Sequence, residues 1–258
     1  MPNPEGTPIW YELLSADPDA SKAFYDHVIG WNVEATPSGE MDYRTITTAG
    51  GEHVGGLMRL TSEMSSGGAK PTWLFYIGVN DVDASLEKIT GAGGRVVMPA
   101  WDIPGVGRLA LVTDPQGIPF YVMRGASDES SNAFDRMGMG KCNWNELLSA
   151  DQAGAQKFYA DAFGWSYPDK MSMGDAGDYI FIQAGDQMIG ATALHTGEGP
   201  PPAWRFYFRA PDIEAAAAKV SEGGGTVMMG PHDVPGGDRI IIASDPHGVV
   251  FGVVGPGK

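Results

Sequence analysis

Cysteine is nearly absent from this chain: Cys142 is the single one in 258 residues. One thiol excludes an intramolecular disulfide and any multi-cysteine metal site. With no counterpart in the first half, Cys142 reads as a small side chain near the start of the second half rather than as a nucleophile. Positive charge is scarce as well, 17 Lys and Arg against 32 Asp and Glu, a formal net charge of −15. A surface of that sign repels nucleic acid and anionic membranes. No apolar run reaches bilayer length, and the opening MPNPEGTP has neither the basic start nor the apolar core of a secretory leader, so a cytoplasmic protein is expected. There is no G-x-S-x-G elbow, H-E-x-x-H, P-loop or G-x-G-x-x-G. What remains, 43% apolar residues with 37 Gly and 19 Pro, describes a turn-rich globular chain.

The chain is duplicated. Residues 9–34 (IWYELLSADPDASKAFYDHVIGWNVE) return at 143–168 (NWNELLSADQAGAQKFYADAFGWSYP), a constant offset of 134 with eleven of 26 positions identical. Each copy reads as strand, turn, helix, strand. Asp17 and Asp151 stand where an N-cap accepts from an orphan helical N–H, and Gly30 and Gly164 stand where helices end. Residues 73–123 return at 204–254 with 19 of 51 positions identical, including Asp81/Asp212, Arg108/Arg239 and the Asp-Pro-x-Gly hairpin turns at Asp114 and Asp245.

A weaker echo, DPDAS at 17–21 and DVDAS at 81–85, makes each half a doubled unit. The order strand, helix, three strands therefore occurs four times. The expected division is a first domain at 1–125, a polar, glycine-containing linker at 126–141 and a second domain at 142–258, each of ordinary domain size. Residues 61–70 read as a loop.

Four βαβββ modules, each running from a first strand into Asp and an Ala/Phe-Tyr helix, with the Asp-Pro-x-Gly turns before the last strand of each half, resemble the vicinal oxygen chelate superfamily. This is the group of glyoxalase I, bleomycin-resistance proteins and extradiol dioxygenases. The pattern W-x-E-L-x-x-x-D…FY…GW is most similar to two-domain bacterial glyoxalase-like proteins. The resemblance implies an α+β fold in which four modules form two glyoxalase-like domains with curved eight-stranded sheets. It also implies where metal-dependent members draw ligands: seven residues before each helix-capping Asp, and seven after the Asp of each turn. Those positions hold Trp10, Leu74, Trp144, Arg205, Tyr121 and Gly252, none of them His, Glu or Gln. His53 and His195 lie on non-equivalent positions, and His27 and His247 read as surface histidines. A divalent metal needs three or four converging donors, so no metal or other cofactor is expected.

Strand alternation and the resemblance together turn Trp10 and Glu12 toward a concave face, with Tyr11 and Leu13 behind. By the same count Tyr76, Tyr121, Trp144, Glu146, Arg205 and Tyr207 face their cups. Trp101 and His232 occupy matching loop positions at the cup mouths, either overhanging them or simply exposed. Such surfaces suit a small flat or amphipathic molecule, although the aromatics equally serve to fill a curved sheet. Glu12 and Glu146 are the sharpest feature, since a carboxylate in an apolar cup must pair, protonate or meet water. Structural pairing with Arg108 and Arg239 is favoured; a catalytic base is the minority reading.

The function expected is metal-independent binding of a small aromatic or amphipathic molecule, in a chain that is a monomer or homodimer and engages neither nucleic acid nor membrane. The alternatives are a glyoxalase-like lyase or oxygenase-like enzyme using Glu12, Glu146 or an atypical metal site, and a purely structural role.

Overall fold

The computed structural model describes residues 3–37, 41–197 and 199–257. Met1 and Pro2, where the leader reading begins, lie outside them. The four modules are present in chain order. The first comprises β1 (Pro8–Ser15), α1 (Pro18–Ile29), β2 (Asn32–Val33), β3 (Tyr43–Thr47) and β4 (His53–Arg59). A five-residue helix, α2 (Ser62–Ser66), follows where a loop was expected, because the Thr61 side chain accepts from Met64 N and caps it. The second module is β5 (Thr72–Gly78), α3 (Val82–Gly91), β6 (Arg95–Ile103), β7 (Gly107–Thr113) and β8 (Pro119–Gly125). The third is β9 (Cys142–Ser149), α4 (Gln152–Phe163), β10 (Lys170–Ser172), β11 (Asp178–Ala184) and β12 (Gln187–Leu194). The fourth is β13 (Ala203–Arg209), α5 (Ile213–Glu222), β14 (Thr226–Asp233), β15 (Asp238–Ser244) and β16 (Val250–Pro256).

The strands form two eight-stranded sheets of matching order, β2-β3-β4-β1-β5-β8-β7-β6 and β10-β11-β12-β9-β13-β16-β15-β14. Within each module the first strand runs parallel to the last and the outer strands are antiparallel. The repeated aspartates explain the repeated helices: Asp17, Asp81, Asp151 and Asp212 each accept from the backbone N–H three residues on. Such a cap contributes about 1 kcal/mol.

By contact density the chain forms two compact units, Met1–Ile9 with Leu74–Ser131 and Asn145–Trp204, and Trp10–Trp73 with Asn132–Trp144 and Arg205–Lys258. One unit thus joins the second and third modules, the other the first and fourth. The residues that do this are the duplicated aromatics.

In the unit of the first and fourth modules, the Tyr25 hydroxyl from α1 donates to Asp245 at 3.3 Å and accepts from Trp73 Nε1 at 3.0 Å. Trp31 stacks on Tyr25, and Tyr11 meets Phe206 and Phe208 edge-on. The other unit repeats the arrangement. Trp204 Nε1 donates to Tyr159 at 2.9 Å, Asp114 acts on the same hydroxyl, and Trp165 stacks on Tyr159 at 4.9 Å. Tyr25 and Tyr159 are almost wholly buried, so these polar tips need partners, and they have them.

Each Gly-Trp tryptophan also grips a backbone segment. Trp31 Nε1 donates to Gly140 O at 2.6 Å and Trp165 Nε1 to Gly6 O at 2.8 Å. Gly6 and Gly140 are again 134 apart, with φ of 81° and 71°; a Cβ would crowd the Trp165 indole at Gly6 and Thr48 at Gly140. Residues 126–141, expected as a polar linker, include Ala133, Phe134 and Lys141, all buried, with Lys141 paired to Glu52 at 2.8 Å. From Asn132 on, this strap belongs to the unit of the first and fourth modules.

Burial pushes the Asp114 and Asp245 carboxyls above the usual carboxylate value, against the lowering effect of the turn N–H groups they accept from. The folded protein therefore holds these protons more tightly than the unfolded chain. Their contribution is fully present below the unfolded carboxylate pKa and is lost as pH rises through the raised folded values. The Asp114→Asn/Asp245→Asn protein, which cannot ionise there, should lose less stability than the parent between about pH 4 and 7. Thermal melts across that range check this, and parallel curves for the two proteins would contradict it.

Candidate functional site

The site residues expected from the sequence fall into four clusters, each within one compact unit. On the first module Trp10 Nε1 donates to the Tyr43 hydroxyl at 2.8 Å. Glu12, two residues along β1 and buried, lies close enough for its charge to act on Tyr43. Burial and then that charge push the Tyr43 phenol far above its ordinary pKa. Gly56 is paired with Glu12 on the neighbouring strand and makes room, since a Cβ there would run into the Tyr43 ring and hydroxyl.

On the second module Tyr76 stacks on Tyr121 at 4.3 Å and 18°, with Trp101 edge-on to Tyr121 at 6.3 Å. Tyr76 and Tyr121 are register partners on β5 and β8. On the third, the Tyr179 hydroxyl donates to Glu146 Oε2 at 2.9 Å. On the fourth, Tyr207 is paired with Gly252, and its ring covers the place where a side chain there would begin, with Cγ at 2.5 Å from an added Cβ. Tyr207, Ile242 and Val254 make a buried cluster on which Trp144 packs. Arg205 is buried on β13, two residues before Tyr207.

Two expectations are corrected. Trp101 and His232 are not in loops: β6 and β14 continue through both, each strand absorbing two register shifts on the way. His232 is exposed and paired with Ile240, while Trp101 is half-buried against Tyr121. The arginines expected beside the glutamates bind other carboxylates. Arg108 meets Asp83 and Asp102, each at 2.9 Å, and Arg239 meets Glu214 and Asp233. Each arginine meets the acid in the first turn of its own module's helix, Asp83 on α3 or Glu214 on α5.

Tyr43 and Tyr179 were missed, although an Asp-Tyr pair opens the third strand in each half. Their spacing is 136, not 134, which hides the match.

The donor set does not fit the metal centre that the fold implies. Trp10, Leu74, Trp144, Arg205 and Gly252 offer no metal-binding side chain, and Tyr121 stacks its ring on Tyr76. His53, His27 and His247 are exposed, His27 lying 3.1 Å from Glu222. Among the described residues no three or more of His, Cys, Asp and Glu are grouped to hold an ion. Cys142 is buried, and burial pushes its thiol up to about 12, far from the thiolate range.

The model of the Glyoxalase/Bleomycin resistance protein/Dioxygenase superfamily matches residues 8–122 and 141–253. The chain belongs to this superfamily. Among superfamily relatives, CFP32 of Mycobacterium tuberculosis, a protein named as a glyoxylase, is 33% identical over 253 residues, covering 98% of this chain and 95% of that protein. The anthracycline biosynthesis protein DauV of a Streptomyces species is 30% identical, covering 96% and 93%. Among solved structures, the Mn(II)-bound glyoxalase of Novosphingobium aromaticivorans superposes with a TM-score of 0.66 at 19% identity, covering 98% of this chain and 82% of that one. At that identity the likeness is one of fold. No helix among the described residues is long and apolar enough to cross a membrane.

Gly252→Ala should cost about 1–3 kcal/mol, because the new methyl meets the base of the Tyr207 ring rather than a flexible tip. Urea unfolding measures it. Combined with Tyr207→Ala the penalty should shrink, and strictly additive losses would show that the ring is not the obstacle.

Proposed function

We propose that this superfamily member is a metal-independent binding protein for a small aromatic or amphipathic molecule, with 1–125 and 142–258 as its two domains. It would work in the cytoplasm, as a monomer or homodimer, without nucleic acid or a membrane as partner. The observation that carries this reading is the replacement of ligand-type side chains by aromatic ones at the positions from which metal-dependent members draw their ligands. Trp10 and Trp144, both partly buried, supply flat apolar area there, and the polar tips around them are organised: Trp10 on Tyr43, Tyr179 on Glu146. Large rings with oriented polar edges are the usual lining of small-molecule sites. The names of the Streptomyces relatives tie them to anthracycline biosynthesis, and fused-ring molecules are the class that such surfaces accept.

Elemental analysis of protein purified without chelators, after growth with zinc, nickel, manganese and iron, should find metal well below one equivalent per chain. Thermal-shift screening of planar aromatic compounds should raise Tm by mass action. A stoichiometric transition metal lost on His53 or His195 substitution, or saturable turnover of a hemithioacetal or catechol abolished by Glu12→Gln or Glu146→Gln, would overturn the reading.

A further inference from the structure

One half carries a feature that the duplication does not repeat. Arg136, in the strap before β9, holds its guanidinium over the Trp144 ring, with Cζ 5.4 Å from the centroid. The position 134 residues earlier is Pro2, so Trp10 has no such cation in the sequence. Arg136 is exposed, and among the described residues it takes part in no ion pair, in a chain of net charge −15. Its neighbour Asp135 is engaged elsewhere, accepting from Met137 N at 2.9 Å and lying 4.0 Å from Lys141. Met137 and Met139, close to it in sequence, are 70% and 49% exposed, and the indole is partly buried. Trp144 is backed by Tyr207, Ile242 and Val254, so its ring is held in place before anything binds.

We infer that Arg136 and Trp144 form an anchor for an aromatic carboxylate or comparable anionic ring compound. Its ring would lie against the indole while the charge meets the planar guanidinium fork. The inference deepens the small-molecule reading and rests on it, adding the charge of the ligand and the point where that charge is received. The guanidinium suits this task because it pairs bidentately with carboxylates and is content against an aromatic face when no ligand is present. A surface cation–π contact with only a structural role would not distinguish a charged ring from its neutral isostere.

Calorimetric titration with 2-naphthoate and with 2-naphthamide, on the intact chain and on Arg136→Gln, separates the two. The expected result is tighter binding of naphthoate, weakened by about tenfold or more in Arg136→Gln and by raised salt, with naphthamide indifferent to both. Trp144→Phe should weaken both probes. Arg136 is exposed, so an unchanged Tm of Arg136→Gln verifies its fold. If both probes bind and neither responds to Arg136→Gln, the inference falls while the small-molecule reading stands. If neither these probes nor any other planar compound binds, that reading falls and the inference with it.

Discussion

The rest of the structure depends on two buried tyrosine hydroxyls. Tyr25 and Tyr159 each sit where a helix, an indole and an Asp-Pro turn from another module meet, and each hydroxyl is shared between an indole N–H and a carboxylate. A phenol buried without those partners would cost about 1–3 kcal/mol, so the geometry of all three elements is constrained together. The repeated Phe-Tyr, Gly-Trp and Asp-Pro-x-Gly motifs are, in this light, one device written twice. They recur at matching positions in the two halves.

That constraint leaves the other side of each first strand free to diverge. Glu12 and Glu146 are both retained, each with a tyrosine near it. Tyr43, lying over Gly56, accepts from Trp10, whereas Tyr179 donates directly to Glu146. The residue paired with Glu146 is Ala191, where Gly56 is paired with Glu12. Likewise Tyr121 offers Tyr76 a stacking partner, and Gly252 lets Tyr207 lie on the bare backbone. In a protein whose fold is repeated, such small exchanges are where chemical individuality resides.

Superfamily membership carries the fold and leaves the chemistry to these residues. The metal-binding members and this chain share the strand positions but not the donors standing on them. At those positions this chain carries Trp10, Leu74, Tyr121, Trp144, Arg205 and Gly252.

The modules, their capping aspartates, the helix ends and the hairpin turns were all legible in the sequence, because each is set by local chemistry: a cap bonds three residues on, and a Pro-x-Gly turn presets its own dihedrals. Duplication then doubled every signal. The partners of Glu146, Arg108 and Arg239, the strand placement of Trp101 and His232, and the use of Tyr43 and Tyr179 were decided by tertiary structure. So was the pairing of the first module with the fourth and the second with the third. Those choices turn on which of several chemically suitable groups comes within hydrogen-bonding reach, and on bulges that carry a strand past its expected end. Sequence spacing fixes neither, since both depend on how separate segments are brought together in space.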